Sequence, residues 1–496
     1  MTPQSNFMIA APIVMERIDA LKFLLDGMNK PGAPGMAAPH NPLIPFGQFK
    51  TLHYARFVIV DDKTLGDFAY ANLPVPNFPI MLAFLVDCDG PADDFLIGLV
   101  EHSVTSKGLR TIFKHCEEFD DSTDLLTWMK QRAYRPAAAY VNWIGRTVLQ
   151  VHKEAELRRA LQNELAKFSE SRPNAGENIR DVRNHLAKFV EEHPDLKPAI
   201  ARTPFGWWLN NLLHFAVVPF VLLIPWLLAV PLLNPSPEHF LWAVVPFGVL
   251  AILLFLWLVR IAPVTFAVLV ALGLMLIPFF VLFPLALVPI LVAVFLFFGV
   301  LRWYEKNEPE VIPRPTLEHD SALAALEDHD VSNQFTVIGS VKPSAFRRAL
   351  LVAVLWLTDY GARHVYNRGF LARIQTIHFA RWVFFDNKRR VLFASNYDGS
   401  HQAYMEDFIN KVGWGLNIVF SNGFGYPRTN WLIRDGAKNE LRFKDTNRRH
   451  QIPTQVWYKA YPGLTAFDLA RNTRVREGLE RRWMSDAQIR TWLRDL

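Results

Sequence analysis

The chain has 496 residues, 51% of them hydrophobic and 20% charged, with a formal net charge of +6. This composition excludes a disordered chain, a collagen-like repeat and a disulfide scaffold, because two cysteines cannot staple a protein of this size. Basic residues are spread along the chain, which points away from nucleic acid, and Met1 to Ala10 lacks the basic start and long apolar run of a secretory signal.

In chain order, residues 1–50 read as an N-terminal extension. Residues 51–162 read as an α+β unit, with strands at Thr51–Asp61 and Leu82–Gly90, a helix opened by Gly90-Pro91, a strand at Gly108–Phe113 and a helix over Gly145–Leu161. Residues 163–204 are polar and charged, break at Pro173-Asn-Ala-Gly176, and read as an amphipathic helical linker.

From 205 to 302 the chain is almost free of charge and reads as a transmembrane domain. A crossing helix takes about 20 apolar residues, and Pro278, Pro284 and Pro289 divide the last long stretch, so four spans are expected, at 207–233, 240–259, 264–282 and 285–301. Lys188, Lys197 and Arg202 precede the first span, Arg260 lies in the second connection, and Arg302, Lys306 and Arg314 follow the last. This alternation predicts an integral membrane protein of the inner or cytoplasmic membrane, with both flanking halves on the cytoplasmic side.

Residues 303–343 read as a linker, and 344–374 as an amphipathic helix that either lies in the membrane interface or packs on its own domain. Residues 375–482 read as a second α+β unit. It has a hairpin of His378–Phe385 and Val391–Tyr397, a helix capped by Ser400, strands at Leu416–Ser421 and Gln455–Ala460, and a helix over Thr465–Leu479. Residues 483–496 read as a C-terminal helix.

The two units repeat each other. Thr51-Leu-His-Tyr-Ala-Arg-Phe-Val-Ile-Val-Asp61 matches Thr376-Ile-His-Phe-Ala-Arg-Trp-Val-Phe-Phe-Asp386, and Leu82–Gly90 matches Val391–Gly399. Asp94-Phe95 then matches Asp407-Phe408, Gly108–Phe113 matches Gly415–Phe420, and Gly145–Leu161 matches Gly463–Leu479, all in the same order. The expected fold class is therefore α+β plus an α-helical membrane domain, with two duplicated ββαββα units flanking a bundle of about four transmembrane helices. This order is similar to a rearranged ferredoxin-like unit. Paired units of that kind resemble the dimeric α+β barrel of dye-decolourising peroxidases, chlorite dismutases and small monooxygenases. The resemblance implies two sheets packed face to face. Asp398-Gly399 is similar to the Asp-Gly of the peroxidase signature, but Ser395 stands where that signature has a glycine. The diagnostic motifs of these families are otherwise missing, so no catalytic residue is carried over.

Several residues could carry chemistry. On an alternating strand His53 shares a face with Ala55, Phe57 and Ile59, while Arg56 shares the other with Tyr54, Val58 and Val60; His378 and Arg381 divide in the same way. The histidines could converge between the sheets, or the arginines could hold carboxylates. A hydrogen-bonded core histidine and a structural ion pair explain the same residues more simply. His115, Cys116 and Glu117 group an imidazole, a thiol and a carboxylate, as a reactive or metal-binding site requires; with no second Cys/His pair, an ordinary loop is the simpler reading and no metal site is expected. Asp87, Asp89 and Asp398 precede helices and read as capping or turn residues before cation ligands. Gly423-Phe-Gly425 lacks the third glycine of a nucleotide loop.

Three functional expectations follow. The first is an integral membrane protein whose paired cytoplasmic modules bind or process a hydrophobic small molecule or a lipid. The second is a haem-dependent peroxidase or oxygenase, an oxidoreductase with His53, His115 or His378 as axial ligand. The third is a non-catalytic membrane scaffold for a protein partner. The candidate catalytic residues are His53, Arg56, His115, Cys116, Glu117, His378 and Arg381, with haem as the one cofactor considered.

Overall fold

The computed structural model describes residues 3–171, 178–198, 200, 205–207, 209, 284–311 and 314–496. The chain divides into two compact units. One joins Met1–Arg202 to Pro309–Leu496, and the other is Thr203–Glu308.

In the first half of the larger unit the strands are β1 (Gln4–Pro12), β2 (Asn29–Lys30), β3 (Ala33–Ala37), β4 (Leu52–Val60), β5 (Met81–Asp89), β6 (Ala133–Tyr134) and β7 (Ala138–Val141). The helices between and after them are α1 (Ile18–Asp26), α2 (Asp67–Tyr70), α3 (Ala92–Glu101), α4 (Ser103–Phe113), α5 (Leu125–Gln131), α6 (Val148–Ser171) and α7 (Ile179–Glu192). Helix α8 (Pro284–Asn307) belongs to the smaller unit. The second half contains α9 (Leu317–Ala324), β8 (Ser332–Ser340), α10 (Ala345–His364), β9 (Ile377–Phe385), β10 (Arg390–Asp398), α11 (His401–Phe420), β11 (Thr429–Asn430), β12 (Arg434–Asp435), α12 (Glu440–His450), β13 (Thr454–Lys459), α13 (Ala466–Glu480) and α14 (Asp486–Asp495).

The two halves share an element order, but it is β-α-β-β-α-β rather than the expected ββαββα. Strand β1 opens the first copy and β8 the second, in segments that read as an extension and a linker. Both start with polar residues, half-buried Asn6 aligning with buried Gln334 ahead of Phe7 and Phe335, which hid their apolar pattern. The expected strands at 108–113 and 416–421 are helical, in α4 and α11. Leu109, Ile112 and Phe113 are buried at the i, i+3, i+4 spacing of a helix face, which outweighs their β propensity. Helix α10 packs Leu351, Leu355 and Ala362 into the core of the second half and leaves Trp356 and Leu357 exposed.

Two sheets result. The larger has the order β2-β3-β13-β4-β5-β1-β6, and the smaller β7-β9-β10-β8. The halves exchange their fourth strands: β13 of the second half pairs antiparallel with β4, and β7 of the first half pairs antiparallel with β9. Met8, Ala10, Val58, Val60, Ala83 and Leu85 of the larger sheet pack against Ile338, Val383, Phe385, Leu392 and Ala394 of the smaller. The opposite face of the larger sheet (Phe7, Ile9, Phe57, Phe84, Val86) is covered by helices α1, α3, α4 and α5. Strands β4 and β5 are therefore buried along their whole length, which is why they read as unbroken apolar runs. The link between β4 and β5 docks on the second half, where Asp67 receives a bidentate pair of hydrogen bonds from Arg449 (2.8 and 2.5 Å) and Phe68 stacks on Phe424.

The expected membrane domain needs correction. The spans at 240–259 and 264–282, and nearly all of 207–233, lie outside the described residues. The span at 285–301 falls in α8, whose uncharged stretch ends before Arg302, Glu305 and Lys306. Among the described residues no helix is long and apolar enough to cross a membrane. The four-helix membrane bundle, the integral membrane function and the membrane localisation drawn from it are accordingly withdrawn.

Candidate functional site

The repeated histidines and arginines meet between the sheets. Each histidine sits at a β-bulge. Leu52 pairs with Cys88 and Tyr54 with Asp87, leaving His53 as the extra residue; Tyr397 pairs with Ile377 and Asn396 with Phe379, leaving His378. The bulge breaks the simple alternation expected for these strands. It brings the His53 ring within 5.1 Å of Phe379 and the His378 ring within 5.8 Å of Tyr54, each on the opposite sheet.

Both histidines bind the aspartate that ends the neighbouring strand. His53 Nε2 lies 3.0 Å from Asp89 Oδ1, and His378 Nε2 lies 2.6 Å from Asp398 Oδ1. The second oxygen of each aspartate accepts a backbone N–H at a helix start, from Val148 of α6 (2.9 Å) and Ala466 of α13 (2.7 Å). These carboxylates thus cap helices at the far end of their own repeat. Burial alone would raise the Asp398 carboxyl, but His378, the Ser332 hydroxyl and the Ala466 N–H outweigh it and hold Asp398 below its ordinary value.

The arginines cross to the opposite sheet. Arg56 donates to the Phe335 and Ser395 carbonyls (3.0 and 2.9 Å), to Thr336 Oγ1 (2.9 Å) and to Asn396 Oδ1. Arg381 donates to the Phe7 and Val86 carbonyls (2.7 and 3.1 Å) and to Asp87 Oδ1. Phe335 pairs with Ser395, and Phe7 with Val86, so the two clasps are equivalent in register. They differ in charge, because Asn396 stands where the other half has Asp87. Burial, then the nearby charge of Arg381, lowers Arg56 to about 9. Burial also raises the Asp87 carboxyl against the pull of both arginines.

All of these groups are nearly fully buried and committed to protein partners. Both ring nitrogens of His53 are engaged, by Asp89 and by the Tyr461 hydroxyl at 3.2 Å. Side chains fill the space between the sheets, so the expected ligand site there is replaced by a packed core. The residues around His53 and His378 do not fit a haem, since neither ring offers a coordination position beside open space. His115 lies apart, on the turn after α4, with Nδ1 3.2 Å from the Thr111 and Ile112 carbonyls. Cys116 is buried and bridges Ile13, with its thiol pushed up to about 12 by burial. Glu117 is exposed, and its N–H donates to the Pro12 carbonyl. Among the described residues no group of three His, Cys, Asp or Glu side chains is placed to hold a metal ion.

Open space occurs elsewhere. A cavity of about 490 Å³ lies at the β3–β13 side of the larger sheet, a volume within the ordinary range of ligand pockets. Its apolar wall includes Met36, Phe49, Val148, Leu149 and Trp457. Its polar lining is Lys30, His40, Lys50, His152, Lys459 and Asp330. Strand β3 runs parallel to β13, with Met36 beside Trp457. The β2–β3 hairpin turns at Gly32 and presses Gly35 against β13, where an added Cβ would lie 3.1 Å from the Thr454 carbonyl. Asn29 latches the hairpin by donating to the Gln455 carbonyl (2.9 Å). Lys459 is satisfied by Asp330 Oδ2 (3.1 Å), Ser332 Oγ (2.7 Å) and the Leu464 carbonyl (2.9 Å). Lys30 and Lys50 have no carboxylate partner among the described residues. Burial lowers the His152 imidazole, with His53 and Arg159 acting in the same direction.

The candidate residues drawn from the sequence thus divide into a buried inter-sheet set and an isolated turn, and none of them lines this cavity. The signal for the cavity was Lys30-Pro-Gly-Ala-Pro-Gly35, two Pro-Gly turns in quick succession inside the supposed extension. Comparison of the chain with family models, with curated proteins and with solved structures finds no match.

Proposed function

We propose that the protein binds a small organic anion in the cavity beside β13. The observation that carries this reading is the cavity's lining, in which Lys30 and Lys50 lack counterions next to an apolar wall. Asymmetry supports it. The inter-sheet clasps occur in both repeats, as features that hold the fold together do. The β2–β3 hairpin that borders the cavity extends only the larger sheet, and the smaller sheet has no counterpart to it among the described residues. A feature present in one copy only is not required by the scaffold that both copies share, which leaves it free to serve a ligand.

Calorimetric titration of the full chain with 2-naphthyl phosphate, 2-naphthoate and uncharged 2-naphthol tests the reading. An anion should bind and the naphthol should not. Lys30→Ala and Lys50→Ala should each weaken binding by about tenfold, the scale of one hydrogen bond to a charged group. Equal binding of naphthol, or no effect of either lysine, would overturn it.

A further inference from the structure

We infer that the anion held in this cavity is a phosphate monoester in its dianionic form; the inference rests on the reading that the cavity binds an anion. Three ammonium groups line the cavity against one carboxylate, and that carboxylate, Asp330, is already spent on Lys459. Two positive charges remain, on Lys30 and Lys50. A carboxylate ligand carries a single charge and would leave one of them unmatched, whereas a phosphate monoester carries close to two above its second pKa of about 6.

The donor chemistry agrees. No arginine lines the cavity, so it lacks the planar fork that recognises a carboxylate through two parallel hydrogen bonds. Lysines act as compact point charges on long stems and suit the several directions of a tetrahedral oxyanion. The first turn of α6 adds to this side of the cavity. Val148 and Leu149 both line it; the Val148 N–H is taken by Asp89, while the Leu149 N–H donates to no acceptor among the described residues. A helix start with a spare N–H favours an anion, and here it lines the same half-open cavity as the two lysines. His40 and His152 supply further ring N–H groups. The apolar wall of Met36, Phe49 and Trp457 would take the organic group of the ester, so free phosphate fills only part of the site.

The test compares three probes on the full chain at pH 7.5, 2-naphthyl phosphate, 2-naphthoate and inorganic phosphate. The ester should bind at least tenfold more tightly than either of the others. In Lys30→Gln and Lys50→Gln the preference for ester over naphthoate should shrink several-fold, with melting temperatures unchanged because neither lysine is buried. If naphthoate binds as tightly as the ester, the phosphate assignment is overturned while the anion site stands. If inorganic phosphate matches the ester, the apolar wall plays no part and the monoester class is overturned. If no probe binds, the anion site itself falls.

Discussion

Arg56 and Arg381 cross the space between the two sheets in opposite directions, and each guanidinium is bound by the half of the chain that does not contain it. The two are not energetically equivalent. Arg381 meets the carboxylate of Asp87, while Arg56 meets carbonyls, a hydroxyl and the Asn396 amide. Removing one partner of a buried ion pair strands the other, at about 3–5 kcal/mol. Removing a donor from neutral acceptors costs about 1–3 kcal/mol. Arg381→Met should therefore lower the urea midpoint clearly more than Arg56→Met. Equal losses would show that the Asp87 charge does not set the difference. Burial already raises the Asp87 carboxyl and removing its counterion raises it further, so the Arg381→Met deficit should grow as pH rises from 5 to 8.

Asp398 carries a pH dependence in a more acidic window. Its native pKa lies below the ordinary value of about 3.9, so its ionised form contributes stability above that value and loses the contribution as pH falls through the native pKa. In Asp398→Asn the stability deficit should be largest at pH 6 and should shrink towards pH 3. Urea melts at several pH values read this directly, and a deficit of constant size would disprove it.

Gly108 on α4 faces the backbone of the loop that carries the cavity wall. A Cβ there would lie 2.0 Å from the Leu43 carbonyl oxygen, closer than any contact allows. Gly108→Ala must displace either the helix or the loop carrying His40, Gly47 and Phe49. Overpacking of this kind costs about 1–3 kcal/mol or more. A lower melting temperature together with weakened anion binding is expected. An unchanged affinity would mean that the loop does not shape the cavity.

The two cysteines should be inert in the folded protein. Both are buried free thiols; burial pushes Cys116 up to about 12 and Cys88 further still. Ellman's reagent at pH 8 should find essentially no reactive thiol in native protein and two after unfolding in guanidinium. Rapid labelling of either cysteine in the native state would contradict the packing around it.

The paired His and Arg positions were legible in the sequence because both copies keep the same spacing in an apolar strand. Their geometry was not, since alternation puts His53 and Arg56 on opposite faces and only the bulge reunites them. Strands β1 and β8 escaped notice because both begin with polar residues, half-buried Asn6 in one and buried Asn333 and Gln334 in the other, each acceptable only once its neighbours in the fold are known. The segments 108–113 and 416–421 are apolar runs too short for periodicity to separate strand from helix. The cavity combines residues 30–50 with residues 457–462, a proximity that depends on the exchange of β13 and that no local pattern reveals.

That exchange also bears on how the molecule comes apart. Because β13 completes the sheet begun by the first repeat, and β7 the sheet begun by the second, neither repeat owns all of the backbone hydrogen bonds it depends on. Melting one would strip a strand from its twin, so the larger unit should lose its structure in a single cooperative step. A repeat made alone would present an unpaired strand edge and would need another copy to close it.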